Sequence, residues 1–162
     1  MDIRTLQYFL AVAREESISG AAEFLHMTQP PLSRQLKELE AELGKQLFIR
    51  GNRKITLTED GMILRKRAEE IVALMEKTKA EINASAENIT GDIGCAETEG
   101  MRMLAKIISK IRQEYDHIHF HIFSGQAEDV SERLDSGLLD FGLFIEPADL
   151  KKYDFIKLPI TD

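Results

Sequence analysis

Gln29, Pro30, Ser33, Arg34 and Lys37 recur at helical spacing within TQPPLSRQLKELEAELG, residues 28 to 44, and their types suit contact with a DNA duplex. Reading a groove needs side chains that reach base edges and others that grip phosphate. Gln29 can contact a base edge, Arg34 can make a bidentate contact to guanine, and Ser33 can donate to phosphate or base. Pro30 and Pro31 offer apolar contact to a thymine methyl, and Lys37 suits phosphate. Taken alone, these are ordinary solvated helix polars. The elements around them decide.

The two prolines mark a helix start, because the first turn has N–H groups without an intrahelical partner anyway. Thr28 can therefore cap, with Gln29, Pro30 and Pro31 as the first turn. Leu32, Leu36, Leu39 and Leu43 then form one apolar face, and Gly44 is a natural stop. Upstream, residues 3–14 read as a helix with Leu6, Phe9, Leu10 and Ala13 on one side. Ser17 or Ser19 opens a second helix through Leu25, with Ala21, Ala22 and Leu25 facing inward. The bend His26-Met27-Thr28 leads straight into the third helix, which makes a helix-turn-helix whose second helix reads the major groove. After Gly44, QLFIR and KITLT flank Gly51-Asn52, a hairpin signal with cationic tips at Arg50, Arg53 and Lys54. Arg53 suits a narrow A·T minor groove. Residues 1–58 therefore read as a winged helix-turn-helix. In that context DNA contact is the preferred reading of the polar face.

Residues 59–89 contain no proline and read as one long helix. Leu64, Ala68, Ile71, Met75, Thr78, Ile82, Ser85 and Ile89 alternate at four and three, a heptad seam. A helix packed on its own domain would drift towards a period of 3.6, so the regularity favours self-pairing. The expected dimer contacts are Leu64, Ala68, Ile71, Met75 and Ile82, with the polar Thr78 and Ser85 weakening the seam towards its end.

Charge divides the 162-residue chain in two. The total is −7, yet residues 27–58 hold six Lys/Arg against three Asp/Glu, and residues 91–162 hold eight against fourteen. Phosphate attraction acts through a local patch, so a basic N-terminal module joined to an acidic one remains compatible with DNA. The single cysteine, Cys95, rules out an internal disulfide framework and suits a reducing cytoplasm. The N-terminus lacks the pattern of a signal peptide, and no apolar run approaches the roughly 20 residues of a membrane span. The expected location is cytoplasmic, without membrane contact.

ITGDIG marks a boundary, after which residues 90–162 change character. Residues 102–115 read as an amphipathic helix, HIHFHIF as a strand, residues 126–136 as a helix and DFGLFI as a buried strand. Strands alternating with helices imply a parallel sheet, so the expected fold class is α+β: a winged module, a linker helix and a partial α/β domain. His117, His119 and His121 share one strand face, about 6.6–6.8 Å apart in succession, an awkward spacing for one ion. No metal or cofactor is expected. No Ser/His/Asp set, phosphate loop or paired catalytic carboxylates stand in a plausible context, and no enzyme is expected.

The stretch LQYFLAVAREESISGAAEFLHMTQPPLSRQLKELEAELGKQLFIRGNRKITLTEDG resembles the DNA-binding module of the LysR-type transcriptional regulators. The resemblance continues through the linker helix into IRQEYDHIHFHIFSG and LDSGLLDFGLFI, which resemble the family's first, periplasmic-binding-protein-like regulatory subdomain. It implies that Gln29, Pro30, Ser33 and Arg34 contact DNA. It also implies a homodimer (a dimer of dimers for a full-length member) and a small-molecule effector. The effector pocket it implies has one wall at Thr98 and Glu99 and the other at Ser124 and Gln126, although simple helix capping explains these residues equally well. Two departures stand out. Family members are close to twice this length, and GDIGCAETEG is about two residues short of their usual first strand. The sensor is accordingly expected to be incomplete or altered. Two rivals to a DNA-binding regulator are a dimerising interaction protein that sequesters a longer partner, and a small-molecule binding module with a vestigial winged domain.

Overall fold

Asp2 starts the N-terminal unit. Its carboxylate accepts the Thr5 N–H at 2.7 Å and caps α1 (Ile3–Glu15). That hydrogen bond holds the Asp2 carboxyl below its ordinary pKa. Ser17 caps α2 (Ile18–Phe24) in the same way, its Oγ accepting from the Gly20 N–H at 3.2 Å. The computed structural model describes residues 1–51, 54–83, 89–96 and 98–158. It divides into two compact units, Met1–Glu81 and Ile82–Asp162.

His26 takes the left-handed conformation in the bend, and Thr28 occupies the cap position of α3 (Gln29–Leu43). Its side chain makes no capping hydrogen bond, contrary to the expectation. A capping oxygen accepts from the second or third helical N–H, and here those positions are Pro30 and Pro31, which have none. Leu32, Leu36 and Leu39 are buried, whereas Leu43 stays 40% exposed, so the apolar face ends one turn early. Gly44, at φ 65, closes the helix in the left-handed region.

These leucines meet Leu6, Phe9 and Val12 of α1 and the small Ala21 and Ala22 of α2 in one core. Phe48 completes it, its ring 5.1 Å from that of Phe9. Phe48 opens β1 (Phe48–Arg50), which pairs antiparallel with β2 (Ile55–Leu57) to form the wing. Asn52 and the expected minor-groove residue Arg53 lie outside the described residues.

Thr58 links the wing to the long helix α4 (Glu59–Asn83). Its Oγ1 accepts from the Gly61 N–H at 3.0 Å and donates to the Gln46 carbonyl at 2.7 Å. The helix was expected to run to residue 89. Instead Ile89 begins a strand, and Ser85 of the expected seam lies outside the described residues. Ala68 departs from the seam as well. It is fully buried in the winged module's own core, with Leu64 and Val72 packed beside it. Burial against its own domain therefore claims the first turns of the apolar stripe.

The second unit is a three-stranded parallel sheet in the order β4-β3-β5, with β3 (Ile89–Cys95), β4 (Ile118–Ser124) and β5 (Phe141–Leu143). The ITGDIG stretch, expected as a boundary and, through the resemblance, as the site of a shortened first strand, forms the central strand. It pairs with β4 from Ile89↔Ile118 to Cys95↔Ser124. The pattern of its glycines does not itself announce a strand, because the pairing is long-range. A side chain at Gly94 would meet Leu139 at 2.5 Å and Val130 at 2.7 Å, which places α6 (Ala127–Asp135) close against that face. Gly100 of α5 (Thr98–Glu114) approaches Leu143 and Cys95, whose side chains point to the other face, so the two helices cover opposite sides. DFGLFI is not a buried strand. Only Phe141–Leu143 pair, at the sheet edge, and Phe141 is 67% exposed. The linear apolar run is that of a buried strand; its edge position leaves one side uncovered.

Candidate nucleic-acid interface

The exposed side of α3 holds Pro30, Ser33, Arg34, Lys37, Glu38 and Ala41 around one shallow concavity. Four of the residues singled out by spacing are thus brought together. Helical periodicity does this: with Leu32, Leu36 and Leu39 committed to the core, the positions between them must face outwards. Gln29 stands exposed at the start of the same helix, where the Ser19 hydroxyl of α2 donates to its Oε1 at 3.4 Å. Thr28 and Pro31 are also exposed beside it.

The Arg34 side chain is 80% exposed, and its Nε donates to Glu38 Oε1 at 2.8 Å. This hydrogen bond, with the charge behind it, raises the guanidinium pKa above its already high value, so Arg34 remains a cation at any working pH. Glu38 also accepts from Gln35 Nε2 at 3.0 Å through its other oxygen. At the wing, Lys54 Nζ pairs with Glu16 Oε2 at 3.0 Å, and the Ile55 N–H donates to the Glu16 carbonyl at 2.8 Å. Arg50 ends β1, opposite Ile55.

Three carboxylates escaped sequence reasoning. Glu38 stands four residues after Arg34, a pairing that helical spacing alone could have revealed. Glu16 and Glu40 act across 38 and seven residues of chain, and nothing local announces either.

Along α4 an apolar stripe remains outside the core. Ile71 is 40% exposed, Leu74 41% and Ile82 77%. Met75 is half-buried, and Leu74 joins Ile71 and Ile82 at helical spacing although the heptad reading passed it over. Thr78 lies in the same stripe. Its hydroxyl donates to the Leu74 carbonyl at 2.8 Å, so its polarity is met within its own helix.

The expected effector positions gather at the carboxyl end of the parallel strands. Thr98 and Glu99 open α5, Ser124 ends β4 opposite Cys95, and Gln126 occupies the cap position of α6. The Gln126 N–H donates to Asp129 Oδ2 at 3.4 Å, which is capping geometry. Open α/β sheets bind ligands at this end, where successive helices leave on opposite faces. His119 and His121 are exposed and paired with Thr90 and Asp92. Among the described residues no three His, Cys, Asp or Glu are placed to hold a metal ion, and no helix is long and apolar enough to cross a membrane.

Two family patterns match the sequence. Residues 3–62 match the bacterial regulatory helix-turn-helix protein of the lysR family, and residues 90–160 match the LysR substrate binding domain. The transcriptional regulator BsdA of Bacillus subtilis is 41% identical over 143 residues, covering 86% of this chain and 49% of BsdA. The dual regulator OxyR of Escherichia coli is 32% identical over 165 residues, covering 100% of this chain and 53% of OxyR. The crystal structure of full-length CbnR complexed with its target DNA superposes with a TM-score of 0.75 at 28% identity, covering 88% of this chain and 49% of that one. The chain spans about half the length of the curated relatives it matches. The chain belongs to the LysR family of bacterial helix-turn-helix regulatory proteins.

Proposed function

We propose that this chain binds duplex DNA in a sequence-specific manner as a homodimer and regulates transcription, and that its C-terminal unit is part of a small-molecule effector domain. The division of labour is a winged DNA-binding module at 1–58, a pairing helix at Glu59–Asn83, and an effector-binding unit at 90–162. The observation that carries the reading is the outward face of α3, where Pro30, Ser33, Arg34 and Lys37 surround one concavity beside an exposed Gln29. CbnR, a relative in the same family, is seen in complex with its target DNA, which supports a groove-reading role for the matching helix. Thr28, Pro31 and the wing residues Arg50, Arg53 and Lys54 would flank that contact.

Pairing would use Ile71, Met75 and Ile82, with Leu74 added, and Leu64 contributing what its own core leaves accessible. An effector would sit at the carboxyl end of the sheet, near Thr98, Glu99, Ser124 and Gln126.

The test is selection of duplexes from a random pool by the 162-residue chain, followed by affinity measurements at several salt concentrations. A selected duplex bound far more tightly than scrambled DNA, with affinity falling steeply in salt, is the expected result. Equal affinity for selected and scrambled duplexes would reject the regulator reading.

A further inference from the structure

The concavity on the outward face of α3 holds one carboxylate that contact with phosphate would disfavour. Glu38 lies in the same concavity as Arg34 and Lys37, and both of its oxygens are engaged by its own helix: Oε1 by Arg34 Nε at 2.8 Å and Oε2 by Gln35 Nε2 at 3.0 Å. Stability does not explain it. Both partners are more than half exposed, at 80% and 52%, and exposed i,i+4 pairs contribute little to folding.

We propose that Glu38 is a positioning residue for Arg34, one that turns a general phosphate clamp into a base-reading group. The proposal rests on the DNA-binding reading above and names the residue that sets its selectivity. The guanidinium has five N–H donors in a rigid fork. Anchoring Nε on Glu38 leaves the four N–H bonds of the two terminal nitrogens free, and these are the pair that can reach guanine O6 and N7 together. Arginine also has one of the largest rotamer entropies, and a side chain already pinned loses less of it on binding.

The second effect is electrostatic. Arg34 and Glu38 together are neutral, so the pair adds little to the counterion release that drives binding to any sequence. A guanidinium without this partner would be drawn to the nearest phosphate. Hydrogen bonds to a base edge survive the neutralisation, because they depend on geometry more than on net charge. Glu38 therefore lowers affinity for random DNA while preserving the contact that distinguishes sequences.

The experiment compares wild type, Glu38→Ala, Glu38→Gln, Arg34→Ala and the double variant Arg34→Ala/Glu38→Ala, each as the full 162-residue chain. The probes are a duplex selected from a random pool by wild type, and a scrambled duplex. For Glu38→Ala the preference for the selected duplex should fall roughly tenfold or more. Scrambled-duplex affinity should rise, and its salt dependence should steepen by about 0.9 as Arg34 takes up a phosphate. Glu38→Gln keeps an acceptor for Arg34 Nε, so its affinity for the selected duplex should stay close to wild type. In the Arg34→Ala background, removing Glu38 should no longer change the preference between duplexes. A wild type that prefers its selected duplex, together with an unchanged preference and salt slope in Glu38→Ala, overturns the role of Glu38 alone. A wild type without any preference overturns the DNA-reading function and this inference with it.

Discussion

Glu40 Oε1 accepts the Leu47 N–H at 2.7 Å and the Phe48 N–H at 3.3 Å, joining the last turn of α3 to the first strand of the wing. Leu47 and Phe48 are buried and the two bonds are partly buried, so water is a poor replacement for that acceptor. The bond sets the wing relative to the helix beside it. Glu40→Ala should destabilise the winged unit by about 1–3 kcal/mol, the cost of leaving buried donors unsatisfied. Glu40→Gln retains an acceptor oxygen and should cost less. Urea unfolding midpoints of the two variants check this, and equal midpoints would remove the special role of Glu40.

Gly61 is tested by adding one methyl group. A Cβ there would lie 2.2 Å from the Leu47 carbonyl oxygen, a backbone atom that cannot swing aside. Helix propensity favours alanine over glycine by about 1 kcal/mol, but overpacking typically costs about 1–3 kcal/mol and should win. Gly61→Ala is expected to lower the thermal midpoint of the chain. A rise would show that the start of α4 shifts freely.

Arg34→Ala and Lys37→Ala should separate base reading from phosphate contact. The first is expected to lose about 1–3 kcal/mol on the selected duplex and much less on scrambled DNA. The second should weaken both alike and flatten the salt dependence by roughly one unit. Competition binding at two salt concentrations measures both. Equal losses for Arg34→Ala on the two duplexes would make it a phosphate contact.

Ile71→Asp and Ala68→Asp should diverge although both lie on the expected seam. Ile71 is 40% exposed and Ala68 is fully buried in its own module. A charge at 71 should leave the fold intact and give a monomer in sedimentation, since the paired helices could not bury it. A charge at 68 should unfold the winged unit, visible by circular dichroism. A wild-type chain already monomeric at micromolar concentration would remove the pairing proposal.

The Asp135 carboxylate receives the Lys152 ammonium and the Tyr153 hydroxyl, the latter at 2.7 Å, which ties the segment after β5 back to α6. The Lys152 hydrogen bond, then that of Tyr153, holds Asp135 below the usual carboxylate pKa, and the Asp135 bond raises Lys152. The Asp135 contribution is present above its unfolded pKa and is lost as pH falls through the lowered folded value. The Lys152 contribution is present below its unfolded pKa and is lost as pH rises through the raised folded one. Stability curves of wild type and Asp135→Asn should therefore separate at neutral pH and converge in acid. Parallel curves across that range would show that this contact contributes nothing.

Local rules made much of the winged module readable in the chain itself. Gly44 as a stop and the leucines at 32, 36 and 39 depend on neighbours within a turn or two, so spacing alone placed them. Ser17 and Ser19, by contrast, were equal candidates for the cap of α2, and the structure chose Ser17. Which polar residues of α3 face outwards followed from the same period. Tertiary structure decided wherever partners lie far apart along the chain. GDIGC became a central strand because β4 and β5 flank it, and no propensity of its glycines predicts that pairing. Phe141 stayed exposed because its strand is an edge, a property of the sheet rather than of DFGLFI. Ala68 entered the winged core because α4 leans back on it, which a heptad count cannot distinguish from a partner helix. Glu40 met Leu47, and Glu16 met Lys54, only once the core had brought their backbones together.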